Sequence, residues 1–442
     1  MNESIQDRKA RRIVFVPGFG RHREHSSEDE EEREGREGAG LTPQTRLLLL
    51  VNALFGTANA LSGTFVSIYL WKARNDFAMI AWFAVYQQVF MALTFWIAGK
   101  WVKERNKMNS LRLGIALSAL FYVLVLLLGV RSVDYIFWLG SVQGLASGFF
   151  WLAFNVVYFE VTNPDNRDRF NGWAGLWGSV AGMVAPWVSG FLITHWKGTG
   201  GYRLIFTLSL VIFLVGVVLS FWLRKRKVQT CYDWWFPFRK MADRSSRRVL
   251  WGLAAQGIRE GVYSFLIGLL VYLATKNEMK LGSFSLITSG VALVSFWAAG
   301  RWFRPRFRKW GMLLGILAMM GVVLPLFWRV SYGTLLLFGI GTALFIPLYT
   351  LPGTSVVFDW IGRQEDGGSR RVEYVATREM AINAGRLFGT LLFIAVISWS
   401  RSPLVINSLL LFIGSTPLIM WACLLPLLER QAHTGSGGGG KS

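Results

Sequence analysis

An all-α membrane protein of twelve transmembrane helices, arranged as two six-helix bundles, is the fold that three observations predict. The 442 residues are 53% hydrophobic and 17% charged, with 21 Trp and 33 Phe, which is more apolar surface than a soluble core of that size absorbs. Apolar segments of about 18 to 25 residues recur, each long enough at about 1.5 Å per residue to cross about 30 Å of hydrocarbon. Finally, Phe95-Trp96-Ile97-Ala98-Gly99-Lys100-Trp101 returns 201 positions later as Phe296-Trp297-Ala298-Ala299-Gly300-Arg301-Trp302. The segments that follow reopen with Leu113-Gly114-Ile115 and Leu314-Gly315-Ile316. Two parallel copies of one unit produce that echo, because each copy stops, anchors and restarts its helices at equivalent depths.

Taken in order, residues 1–44 run from basic to strongly acidic (Glu28-Asp29-Glu30-Glu31-Glu32) without an apolar stretch, and are expected to be a disordered tail rather than a signal peptide. The first bundle, 45–224, is predicted to hold spans at about 47–71, 77–99, 111–130, 136–160, 172–195 and 202–223. Arg224-Lys225-Arg226-Lys227 opens a polar, aromatic central loop over 225–249, too charged to cross a bilayer. The second bundle, 250–428, is predicted to hold spans at about 250–273, 282–300, 311–331, 334–358, 375–399 and 403–427. In the tenth, Pro347 and Pro352 with Gly339, Gly341 and Gly353 are expected to interrupt the helix. Residues 429–442 are expected to be a flexible tail. Their closing Gly435-Ser436-Gly437-Gly438-Gly439-Gly440-Lys441-Ser442 follows a phosphate-loop pattern, but no helix follows to aim its N–H groups.

The formal charge of +21 could suggest a nucleic-acid binder. The basic runs lie at span ends instead (Lys100 to Arg112, Arg224 to Lys227, Arg301 to Lys309), as in a collar facing anionic membrane lipid, so no nucleic-acid partner is expected. These runs share one side with both tails, which places both termini in the cytoplasm of an inner (cell) membrane protein, expected to act as a monomer. Only Cys231 and Cys423 are present, and of four His three are in the tails, so neither disulfide, metal site nor cofactor is expected.

Twelve spans as two sixes, a basic central loop and a Gly-plus-basic turn after the second span of each half resemble the major facilitator superfamily. In that family the turn reads Gly, three residues, Asp, cation, any residue, Gly, two cations. Here Gly99 is followed by Lys103, Glu104, Arg105 and Lys107, so the acid has slipped by one position and the second Gly is missing. The second copy, Gly300 to Lys309 with Arg304, keeps the cations but has no acid. Glu160 with Arg167, echoed by Asp359 with Arg363, resembles the cytoplasmic charge latch of the family; alternatively these are interfacial caps worth about 0–1 kcal/mol each. Gly178, Gly182, Pro186 and Gly190 in the fifth span resemble an exporter signature, or serve close helix packing. Proton-coupled exporters of the family carry an Arg three residues before a Gln-Gly pair in the fourth span; here Gln143-Gly144 is preceded by Gly140.

Ionisable residues deep in the second half are the candidate pathway. Arg259 and Glu260 fall mid-span, and Glu379, Asn383, Arg386 and Thr390 share one face of the eleventh span by their i, i+4, i+7, i+11 spacing. Glu260 is expected either to pair with Arg259 or Arg386 or to stay protonated; both states suit a proton relay, and a static pair fixing helix register is the alternative. The first half answers with neutral polarity. Asn59 stands 201 positions before Glu260, and Gln143 and Asn155 extend a polar wall, unless they only hydrogen-bond between helices. These residues predict a secondary active transporter working by alternating access, moving a small molecule with protons as coupling ion and not acting as an enzyme. A lipid or lipid-linked precursor flippase is the first alternative. A non-transporting scaffold or regulator, binding through the acidic tail and Trp234-Trp235-Phe236, is the second.

Overall fold

The computed structural model describes residues 41–162, 164–196, 198–224, 231–302, 307–364 and 370–436. The described residues are helical nearly throughout. In the first half α1 is Pro43–Arg74, α2 Phe77–Trp101, α3 Lys107–Leu128, α4 Ile136–Val161, α5 Pro164–His195 and α6 Gly200–Ser220. In the second, α7 is Arg244–Thr275, α8 Glu278–Trp302, α9 Arg308–Gly321, α10 Tyr332–Gly362, α11 Arg371–Trp399, α12 Pro403–Ser415 and α13 Pro417–Ser436. Pro417 has no N–H to continue the ladder and splits the last span into α12 and α13. Eleven stretches are long and apolar enough to cross a bilayer, and one of them, Lys107–Tyr158, takes in both α3 and α4. The count of spans is therefore twelve, as the sequence predicts, in an integral membrane protein.

Short polar side chains start the helices. Thr42 accepts from the Thr45 amide, Asp76 from Ala78, Asn106 from Met108 and Asp243 from Ser246, each satisfying a donor that the first turn leaves unpaired. The repeat reaches down to backbone angles. The two non-glycine residues with positive φ among those described are Asn75 (53°) and Lys276 (50°), 201 positions apart. Each closes the first helix of its half in the left-handed conformation, its N–H returning to Trp71 O at 2.7 Å or Tyr272 O at 2.6 Å.

Within each half, the first helix packs on the fifth, the second on the fourth, and the third on the fourth: α1 on α5, α2 on α4 and α3 on α4; then α7 on α11, α8 on α10 and α9 on α10. Between the halves, α2 packs on α11 and α5 on α8, two contacts exchanged by the same symmetry. Glycines permit these approaches. A Cβ on Gly114 would lie 2.4 Å from the Phe150 amide of α4, and one on its counterpart Gly315 would lie 2.9 Å from Leu348 of α10.

The tenth span is not interrupted. α10 runs continuously through Pro347 and Pro352. Each proline removes one hydrogen bond, and neighbouring helices packed on the adjoining glycines (Phe284 on Gly339, Val322 on Gly341) hold the helix in line.

Candidate functional site

Halfway along the spans, where the bundles face each other, lies a cavity of about 830 Å³, in the upper part of the range typical of small-molecule sites. The site is assembled by a backbone contact. A Cβ on Gly257 would fall 2.0 Å from Ile382 O and one on Gly385 1.9 Å from Ala254 O, so α7 and α11 touch with no side chain between them. That approach brings Glu260 and Arg386 together. Glu260 Oε2 accepts from Arg386 Nη2 at 2.7 Å and Nε at 3.2 Å, while Oε1 accepts from Gln256 Nε2 at 2.7 Å. Arg386 also donates to Asn383 Oδ1 at 3.2 Å, and the Asn383 amide to Glu379 O at 2.9 Å.

Arg259, beside Glu260 in sequence, does not pair with it, because consecutive helix residues point about 100° apart. Its guanidinium lies over the Tyr263 ring (4.7 Å to the centroid), with Nη2 3.7 Å from Met319 Sδ. It is only 6% exposed, and no described carboxylate oxygen lies within 4.0 Å of it. The cavity wall thus carries two arginines against one glutamate. Two further polar atoms on it, Gln143 Oε1 and Thr342 Oγ1, are buried without a hydrogen-bond partner. Unmatched charge and orphaned polar atoms in low dielectric mark a wall able to receive a ligand's polar groups.

Of the predicted pathway residues, Arg259, Glu260, Arg386, Asn383, Asn59 and Gln143 line this cavity. Asn59 also donates to its own helix at Phe55 O, 2.9 Å away. Glu379 and Asn155 are not in the wall. Glu379 turns toward its neighbour Arg378, and Asn155 lies twelve residues beyond Gln143, roughly 18 Å further along α4. Gly140, in the place of the exporters' arginine, sits where a Cβ would be 2.8 Å from Phe83 O of α2, so no long side chain fits there.

At the end of the bundle that carries both termini, a buried ion pair clasps α2 to α11. Lys103 of the turn after α2 pairs with Glu373 of α11, their side chains 5% and 0% exposed. The chain joining the halves lies on the same spot. The Tyr232 amide donates to Glu104 at 2.9 Å, Asp233 binds Arg370 and Arg239, and Trp96 Nε1 donates to Trp234 O at 3.1 Å. The Tyr232 ring covers Gly99, where a Cβ would lie 2.5 Å from it. Burial, with the Glu373 carboxylate nearby, pushes the Tyr232 phenol above its ordinary range. Gly300, the counterpart of Gly99, faces open space, and Asp359 and Arg363 are exposed. Arg304 lies outside the described residues, as do the side chains of Arg105, Glu160 and Arg167.

At the opposite end, Glu278, which opens α8, receives Lys72 of α1 at 2.5 Å and the Tyr202 hydroxyl of α6 at 2.9 Å. Sequence reading missed both Glu278 and Glu373. Each stands two to four residues before the apolar stretch of its span, where a carboxylate reads as a solvated helix start.

The sequence profile of the Major Facilitator Superfamily matches residues 48–357. The chain is 36% identical over 376 residues to the uncharacterized protein YqgE of Bacillus subtilis (strain 168), covering 85% of this chain and 87% of that protein. It is 42% identical over 160 residues to an uncharacterized protein in the sodM 3′ region of Geobacillus stearothermophilus, covering 36% and 75%. In fold it is similar to a D-xylose-proton symporter (TM-score 0.63, 14% identity, 85% of this chain and 96% of that one). It is equally similar to a bacterial homologue of the iron transporter ferroportin in the inward-facing state (TM-score 0.62, 15% identity, 88% and 100%). With twelve spans in two related sixes, a cavity bearing charged side chains between them and a profile match over most of its length, this chain belongs to the major facilitator superfamily of membrane transporters.

Proposed function

We propose that the chain is a proton-coupled secondary transporter that moves a small molecule bearing an anionic group by alternating access, with both termini in the cytoplasm. One observation carries this reading: a buried arginine without a carboxylate partner, Arg259, shares the cavity between the halves with the Glu260–Arg386 pair. The positive balance of the wall favours an anion. A substrate anion that takes Arg386 strips Glu260 of its counter-cation and leaves it, the one carboxylate on the wall, as the group that carries the coupled proton. Anion and proton then occupy the cavity together at nearly neutral cost. Protonated Glu260 no longer holds Arg386, so the side-chain tie between α7 and α11 is released in step with loading. Release of the proton on the other side restores the pair and expels the anion.

The test is transport in proteoliposomes under an imposed proton gradient, comparing the wild type with Glu260→Gln at equal protein content. Gradient-driven anion accumulation by the wild type, lost in the variant, supports the reading. Equal accumulation by both overturns the role of Glu260. Absence of any flux in either supports a scaffold.

A further inference from the structure

We infer that the substrate is a membrane-dissolved amphiphile with a single anionic head group, which reaches the cavity sideways between α5 and α8; this deepens the transport reading above and rests on it. The two helices meet closely at the end away from the termini. A Cβ on Gly190 would lie 2.5 Å from Glu278 O, and one on Gly282 2.6 Å from Pro186 O. Further along, a Cβ on Gly182 has Ser289 Oγ at 3.7 Å, and the Ser289 hydroxyl donates to Gly182 O at 3.2 Å. Then the helices part. Gly178 and Gly175, one and two turns on along the same face of α5, would meet nothing within 4 Å, and neither would Gly300 on α8.

The parted stretch from Gly182 toward the start of α5 runs about ten residues, roughly 15 Å, or the depth of one leaflet. The related α2–α11 contact is closed at the same end by the buried Lys103–Glu373 pair. Among the described residues the two contacts between the halves therefore differ at this end, α2–α11 closed and α5–α8 open. The opening is also apolar: Trp297 of α8 is exposed there, and Phe296, 39% exposed and on the Ser289 face of α8, belongs both to its edge and to the cavity wall. A water-soluble anion would have to pass this aromatic border after losing its hydration. A chain already dissolved in the leaflet loses nothing there, and its head group is drawn inward to Arg259. Of the charges on the wall, Arg259 alone has no counter-ion within reach, so it fits one carboxylate or phosphate head rather than a zwitterion.

The test uses full-length protein in lipid nanodiscs and radiolabelled dodecyl phosphate as the probe. Saturable binding is expected, with ethyl phosphate (same head, no chain) and dodecanol (same chain, no charge) competing at least tenfold more weakly. Arg259→Gln is expected to weaken binding tenfold or more. Gly178→Trp, which extends into open space and leaves the fold undisturbed, is expected to slow association tenfold or more. Equal competition by ethyl phosphate, equal competition by dodecanol, or an unchanged association rate in Gly178→Trp overturns the inference. Gradient-driven flux of ethyl phosphate without dodecyl phosphate binding leaves the transport reading standing and removes this one. Arg259-dependent dodecyl phosphate binding without gradient-driven flux does the reverse.

Discussion

Lys103 and Glu373, 270 residues apart and both nearly inaccessible, form a buried ion pair that ties α2 of one half to α11 of the other. Removing one partner leaves an uncompensated charge, at a cost of about 3–5 kcal/mol. Lys103→Met is therefore expected to lower the melting temperature in detergent sharply, whereas the double change Lys103→Met with Glu373→Leu recovers most of the loss. A double variant as unstable as the single would show that the pair does not stand alone.

The contact at Glu260 behaves differently because its partners are a quarter to a third exposed to the cavity. Stability should change little, by less than about 1 kcal/mol, on Arg386→Gln combined with Glu260→Gln. Transport should not survive it: gradient-driven accumulation is expected to fall at least tenfold. Measuring both quantities on one preparation separates a working pair from a structural one.

Glycines give a contrast within a single kind of substitution. Gly385→Ala places a methyl group against Ala254 O and is expected to destabilise by about 1–3 kcal/mol or more, since the backbones of α7 and α11 must separate. Gly175→Ala enters open space and adds helix propensity, so a gain approaching about 1 kcal/mol is expected. Thermal unfolding of the two variants side by side checks the ordering.

Asp243 caps α7, and hydrogen bonds from the Ser246 hydroxyl and amide hold its carboxyl below the ordinary carboxylate range. Because the folded value is depressed, this contribution is full above the unfolded value of about 4 and is lost as pH falls through the folded one. Asp243→Ala is expected to cost about 1 kcal/mol at neutral pH. Asp243→Asn is expected to keep the cap and flatten the acid limb of the stability profile.

The fold was legible because a membrane fixes span lengths and a duplication writes them twice; Gly114 with Gly315 and Asn75 with Lys276 show one plan at the levels of packing and backbone angle. Much of the cavity wall was legible too, since Arg259, Glu260 and Arg386 sit where charge is too costly to be incidental. The partnering was not. Whether Glu260 turns to Arg259 or Arg386 depends on how closely α7 approaches α11, and that is set by glycines whose role only coordinates disclose. Asn155 and Glu379 lie off the wall for a simpler reason: sharing a helix with a lining residue says nothing about depth. Glu278 and Glu373 escaped notice because a helix-start carboxylate looks the same in sequence whether it meets water or a lysine from the other half.

Tyr232 belongs to the tether between the halves, yet its ring rests on Gly99 at the end of α2. Connectivity and closure are thus one mechanical unit: drawing α2 away from α11 first requires the leash to peel off. Any residue larger than glycine at position 99 would evict the ring, so the position records whether the leash is docked as well as how the turn is made.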